Sequence, residues 1–129
     1  MRTLVLDTGA LIALHRRSSN IWKLLDEAQR TGADVLIPAG TLAESVRGGQ
    51  RDVLIDRLVA RPNIQVTAHD EQRARSAGRL LARTRTSDAI DALVVAEALR
   101  HDRVIIATSD PHDIGDLAQA HRHITAVRV

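Results

Sequence analysis

Thr3-Leu4-Val5-Leu6 is a short apolar run that closes on a carboxylate, Asp7, and runs of the same kind recur at 35–37, 64–67, 104–107 and 124–129. Most of them lack the in-out alternation of a half-exposed strand, which is the pattern of strands covered on both faces. Helical stretches separate them. Leu11 to Leu14 forms a short helix. Ser19 to Thr31 forms a second, with Ser19 or Asn20 as cap, Ile21, Leu24, Leu25 and Ala28 as apolar stripe, and Gly32 as stop. Pro38 stops the second strand, and Thr41 opens a helix carrying Leu42, Glu44 and Val46 that breaks at Gly48-Gly49. Val53 to Ala60 is a fourth helix. Asp70 caps a fifth that reaches Thr84, Ser87 starts a sixth that reaches His101, and the last covers Ile114 to Ala120. Strands alternating with helices require a parallel sheet with helices on both faces. No linker or repeat interrupts the pattern, so the expected fold is α/β, one three-layer α/β/α domain over residues 1–129.

Composition removes several function classes. A chain of 129 residues buries enough surface to fold without staples. The absence of cysteine excludes a disulfide framework and a thiolate zinc site. No stretch approaches the roughly 18 apolar residues of a membrane span. The apolar start is interrupted by Asp7 and followed, not preceded, by Arg16 and Arg17, the reverse of a signal peptide. A cytoplasmic protein is expected. Trp22 is the only Phe, Tyr or Trp side chain, which argues against a module that stacks bases on aromatic platforms. All basic residues except Lys23 are arginine, whose planar fork suits phosphate, although a GC-rich coding sequence gives the same preference.

In an open parallel sheet the site lies at the carboxyl ends of the strands. Asp7 follows the first strand and Asp110 the fourth; Glu44 sits one turn into the helix after the second. Asp88 and Asp91, three apart at a helix start, share a face. Carboxylates gathered in one cleft repel each other, and some must protonate unless a cation sits among them. Oxygen-only ligands favour hard ions such as Mg²⁺ or Mn²⁺. Each acid alone has a plainer role. Asp88 serves equally as a helix cap, Asp113 fits a cap better than a ligand, Asp110 precedes Pro111 as a turn residue would, and Glu44 alone is a solvated side chain. The signal is the set.

The segments 5–14 (VLDTGALIAL), 38–44 (PAGTLAE), 86–92 (TSDAIDA) and 107–113 (ATSDPHD) resemble, in order and over nearly the whole chain, the PIN-domain nucleases, in particular the VapC toxins of toxin–antitoxin pairs. The resemblance implies a five-stranded parallel sheet in the order 3-2-1-4-5 and Mg²⁺- or Mn²⁺-dependent endonucleolytic cleavage of RNA. It places Asp7, Glu44, Asp91 and Asp110 as the catalytic and metal-holding acids, with Asp88 as a further metal ligand. Thr108 and Asp113 stand as supporting residues. It also implies a VapB-type antitoxin that threads a peptide into the active-site groove, and a homodimer. His15 departs from the pattern, standing where relatives often carry an acid, and His112 stands between two acids.

Arg16, Arg17, Arg47 and Arg51 are the candidate RNA-binding rim, since a carboxylate pocket needs basic neighbours to admit a polyanion. The Arg75, Arg79 and Arg83 stripe lies opposite Ala74, Ala77, Leu80 and Leu81 and reads as a solvated face; His121 and His123 lack further ligands for a metal. A haloacid-dehalogenase-type phosphotransferase needs an acid where Gly9 stands, a receiver domain needs a pocket lysine, and a dinucleotide fold needs G-x-G-x-x-G. The remaining rival is an inactive PIN fold acting as a protein- or RNA-binding module.

Overall fold

The computed structural model describes residues 1–86, 88–119 and 121–129. Five strands, β1 (Thr3–Leu6), β2 (Asp34–Pro38), β3 (Ile64–Thr67), β4 (Val104–Thr108) and β5 (Ile124–Arg128), form one parallel sheet in the order β3-β2-β1-β4-β5. Leu4 pairs with Val35 on one side and Ile105 on the other, so β1 is central and hydrogen-bonded along both edges. The helices are α1 (Thr8–His15), α2 (Ser19–Thr31), α3 (Ala39–Ser45), α4 (Val53–Val59), α5 (Glu71–Thr84), α6 (Ala89–Ala98) and α7 (Pro111–Ala118), with a 3₁₀ turn at Gly49–Asp52.

The pleat divides the core in two. Leu4, Leu6, Val35 and Ile37 point to one face, where Leu11, Leu14, Ile21, Leu25, Ile55 and Leu58 of α1, α2 and α4 cover them. Val5, Leu36, Val104 and Ile106 point to the other, under Leu80, Val94, Val95, Ile114 and Leu117 of α5, α6 and α7. The chain winds from β1 outward to β3, then returns to place β4 on the opposite side of β1. The carboxyl ends of β1 and β4 therefore flank the switch point where an α/β sheet opens a crevice.

Several boundaries differ from the sequence reading for local reasons. Ser18 rather than Ser19 or Asn20 precedes α2, and its side chain makes no capping bond. Pro38 is the last residue of β2 rather than its stop, and α3 begins at Ala39, with the Thr41 hydroxyl donating back to the Pro38 carbonyl at 2.8 Å. Helix α6 ends at Ala98, short of His101, and its expected start at Ser87 lies outside the described residues. Helix α7 starts at Pro111, whose fixed φ suits a first helical position, rather than at Ile114; its expected end at Ala120 also lies outside the described residues. On α5, Ala74 is exposed rather than part of the apolar side.

Candidate active site

Three acids begin three helices at the sheet's carboxyl end. Asp7 caps α1 and accepts from the Thr8 amide at 2.8 Å, Asp88 caps α6 and accepts from the Asp91 amide at 3.0 Å, and Asp110 caps α7 and accepts from the Asp113 amide at 3.3 Å. The cap of the last helix is thus Asp110, not Asp113, because α7 starts earlier and leaves Asp113 in its first turn. Asp88 fills the capping role that its position beside Ser87 allowed.

Thr108, fully buried at the end of β4, ties two of these acids together. Its hydroxyl donates to Asp7 Oδ2 at 2.7 Å and accepts from the Asp110 amide at 3.0 Å. The close approach behind this link depends on Gly9, where an added Cβ would lie 2.5 Å from the Ser109 amide nitrogen. Glu44 reaches the same neighbourhood from α3, its Oε1 accepting from the Thr8 hydroxyl at 2.6 Å. Thr8 was not singled out from sequence; a hydroxyl directly after a strand-end acid was the available signal.

Charge links Asp7, Glu44, Asp88 and Asp91. Asp7 is buried, and burial raises its carboxyl above the usual range; Thr108 and Thr8 pull it down, and Glu44 and Asp88 push it up again. Asp91, half-buried on the first turn of α6, is pushed up to about 7, first by burial and then by the charges of Asp7, Asp88 and Glu44. No basic side chain forms an ion pair with any of these four acids among the described residues. Asp110 meets Thr108 through its backbone amide, and its carboxylate accepts from the Asp113 amide. Asp113 is raised by its hydrogen bond with Asp110 and by that residue's charge. Asp91, Asp113 and Asp116 line one small cavity of about 100 Å³ with Thr86 and Leu117. Asp116, missed in the sequence, also lies with His112 and Asp113 in an exposed group whose ligand atoms fall within 4.8 Å of one another.

The basic residues divide. Arg16 and Arg51 line a cavity of about 300 Å³ between α1 and α4, beside His15. Arg47 turns its guanidinium onto the end of α3, donating to the Val46 carbonyl at 2.8 Å, and Arg17 is exposed in left-handed backbone (φ 53°). In the stripe on α5, exposed Arg75 pairs with Glu71 at 2.7 Å, whereas Arg83 donates to the Leu117 carbonyl at 3.4 Å. His112 is exposed, 3.5 Å from Asp116, and the His121 and His123 rings meet edge to face with centroids 5.9 Å apart.

Two solved structures share this architecture. A chain of the VapBC2 complex from Rickettsia felis, bound to a DNA fragment from its promoter, superposes with a TM-score of 0.71 at 12% identity, covering 98% of each chain. A chain of the DNA-bound VapBC from Salmonella typhimurium gives 0.69 at 17% identity, covering 99% of this chain and 98% of that one. A search of curated proteins by sequence finds no match. The family pattern described as PIN domain matches residues 4–119, which takes in every acid of the cluster. With the carboxyl ends of β1 and β4 and the helix starts that carry those acids all inside the matched span, the chain belongs to the PIN-domain family.

Proposed function

We propose that the protein is a Mg²⁺- or Mn²⁺-dependent endoribonuclease of the VapC type, hydrolysing RNA phosphodiester bonds with water. The observation that carries this reading is the gathering of Asp7, Glu44, Asp88 and Asp91 with no basic ion-pair partner among the described residues, where burial and the other acids push the Asp91 carboxyl up to about 7. An all-oxygen set of that kind fits a hard divalent cation. Asp7, Asp91 and Asp110 would hold it, with Glu44 and Asp88 completing the set. A bound ion of this class activates water and stabilises charge on the phosphodiester. Glu44, oriented by the Thr8 hydroxyl, would hold the attacking water and accept its proton on a carboxylate oxygen as the water oxygen bonds to phosphorus and the leaving oxygen departs. Thr108 fixes the free oxygen of Asp7 and so positions it, and Asp113 supports Asp110.

Of the rim candidates, Arg16 and Arg51 share one cavity wall, Arg17 is exposed, and the Arg47 guanidinium donates to backbone carbonyls at the end of α3. The VapBC neighbours support a VapB-type antitoxin as partner; the homodimer and the cytoplasmic setting follow from the same reading. Among the described residues no helix is long and apolar enough to cross a membrane.

Purified protein is expected to cut a total RNA pool at discrete positions with Mg²⁺ or Mn²⁺. Cutting should cease with EDTA and in Asp7→Asn. Equal cutting by the variant would assign the activity to a contaminant. A folded, metal-binding protein that cuts nothing would favour the binding-module reading. Thr108→Val should weaken Mn²⁺ binding by roughly 10–100-fold in calorimetry, because both the Asp7 carboxylate and the Asp110 amide lose their partner. An unchanged affinity would remove Thr108 from the site.

A further inference from the structure

A second cavity shares a wall with the acidic cluster. It holds about 280 Å³, and Gly9, Ile12, Ala13 and Arg16 along α1 face Ser18 and Ser109 across it. Gly9 lies two residues after Asp7, and Ser109 stands between Thr108 and Asp110. Their close packing leaves no room for a Cβ at position 9.

The lining is divided by chemistry. Ile12, Ala13 and Val129 are apolar, whereas Ser18, Ser109 and Arg16 bring polar groups. Among the described residues the Ser18 side chain makes no capping bond and Arg16, which also lines the cavity beside His15, forms no ion pair; the Ser109 carbonyl accepts from Arg128 at 2.8 Å. The volume lies just below the roughly 300–1,000 Å³ of small-molecule sites. A nucleobase has the matching character, with flat apolar faces and a polar edge, and enzymes commonly hold one between apolar side chains. Trp22 offers no competing platform, since the Arg61 guanidinium already lies over its ring at 6.0 Å.

The geometry points to a nucleoside subsite here: the base beside the scissile phosphate lodges between Ile12 and Val129, its edge meets Ser18 and Ser109, and Arg16 faces the adjoining phosphate. This assignment rests on the ribonuclease reading. It makes Ser18 and Ile12 specificity-determining residues, acting on which RNA is cut and not on the chemistry of cutting.

Ser18→Leu fills the cavity from a loop where the serine caps nothing, and Ile12→Ala widens it from an exposed position. With a short RNA library, Ser18→Leu should raise KM about tenfold with little change in kcat, and Ile12→Ala should relax the preference for the base beside the cut. Independently of cleavage, the four nucleoside monophosphates added without metal should shift the NMR resonances of Ile12, Ala13 and Ser18 in the wild type. A Ser18→Leu protein that melts like the wild type and keeps its KM and base preference would overturn the subsite and leave the ribonuclease standing. Should Ser18→Leu fail to fold, an unchanged preference in Ile12→Ala overturns it instead. If the wild type cuts no RNA, the ribonuclease reading fails, and the mononucleotide shifts alone decide whether the cavity binds a base.

Discussion

Asp91→Asn is expected to melt above the wild type in metal-free buffer at neutral pH, and to cleave no RNA. The Asp91 carboxyl keeps its proton to about 7 in the folded chain, against 3.8 for the ordinary group. Between those values the folded protein holds a proton that the unfolded chain has released, so stability falls as pH rises through the window. Three pKa units correspond to a ceiling of about 4 kcal/mol, and solvent on the open side of Asp91 screens this to about 1–2 kcal/mol. Asparagine removes the charge and keeps the shape. The gain should reach roughly 4–8 °C in melting temperature above pH 7 and vanish below about pH 3, where the carboxyl is protonated in the folded and unfolded chain alike. Melts in EDTA at several pH values check this. A gap that does not widen with pH would mean that repulsion at Asp91 is not what the empty site costs.

Arg73→Met, where α5 packs on α6, should be strongly destabilising, by about 3–5 kcal/mol in urea denaturation. Glu97 is 1% exposed within an Ala- and Val-rich helix, and Arg73 holds it with two bonds, at 3.0 and 3.2 Å. Arg73 also donates to Asp70 at 2.8 Å, and His101 stands 3.2 Å from Glu97. Burial raises the Glu97 carboxyl, but Arg73, with help from His101, outweighs it and leaves the group below the usual range. Without Arg73 a buried charge is stranded. The double variant Arg73→Met/Glu97→Met should recover most of the loss, since apolar residues of similar volume replace such pairs well. A double variant as unstable as the single one would show that packing at position 73, not charge, sets the cost.

The sheet was legible because its central strands are apolar on both faces and four of its helices, α1, α5, α6 and α7, follow a capping acid; β3 and α5 match their expected spans. The expected quartet was Asp7, Glu44, Asp91 and Asp110, from strand ends and helix starts that meet by topology; the charges that act on Asp91 are those of Asp7, Asp88 and Glu44. Three things were not legible. The start of α7 shifted because Asp110 outcompetes Asp113 as cap once Pro111 takes the first turn. The Arg73–Glu97 pair joins residues 24 apart, and a lone glutamate in an apolar helix gives no sign of its partner. The fate of Arg47 was hidden as well, because its binding to carbonyls at the end of α3 depends on where that helix stops.

The three capping acids carry a consequence for how this fold can change. Each helix start presents a fractional positive charge to the carboxylate that closes it, a fixed countercharge supplied by the backbone itself. Asparagine caps a helix about as well as aspartate. At positions 7, 88 and 110, replacing one carboxylate oxygen by an amide nitrogen therefore silences an acid while leaving the helix fastened. Shape and chemistry are separately heritable here, and a scaffold that only binds lies one such exchange away from one that cuts.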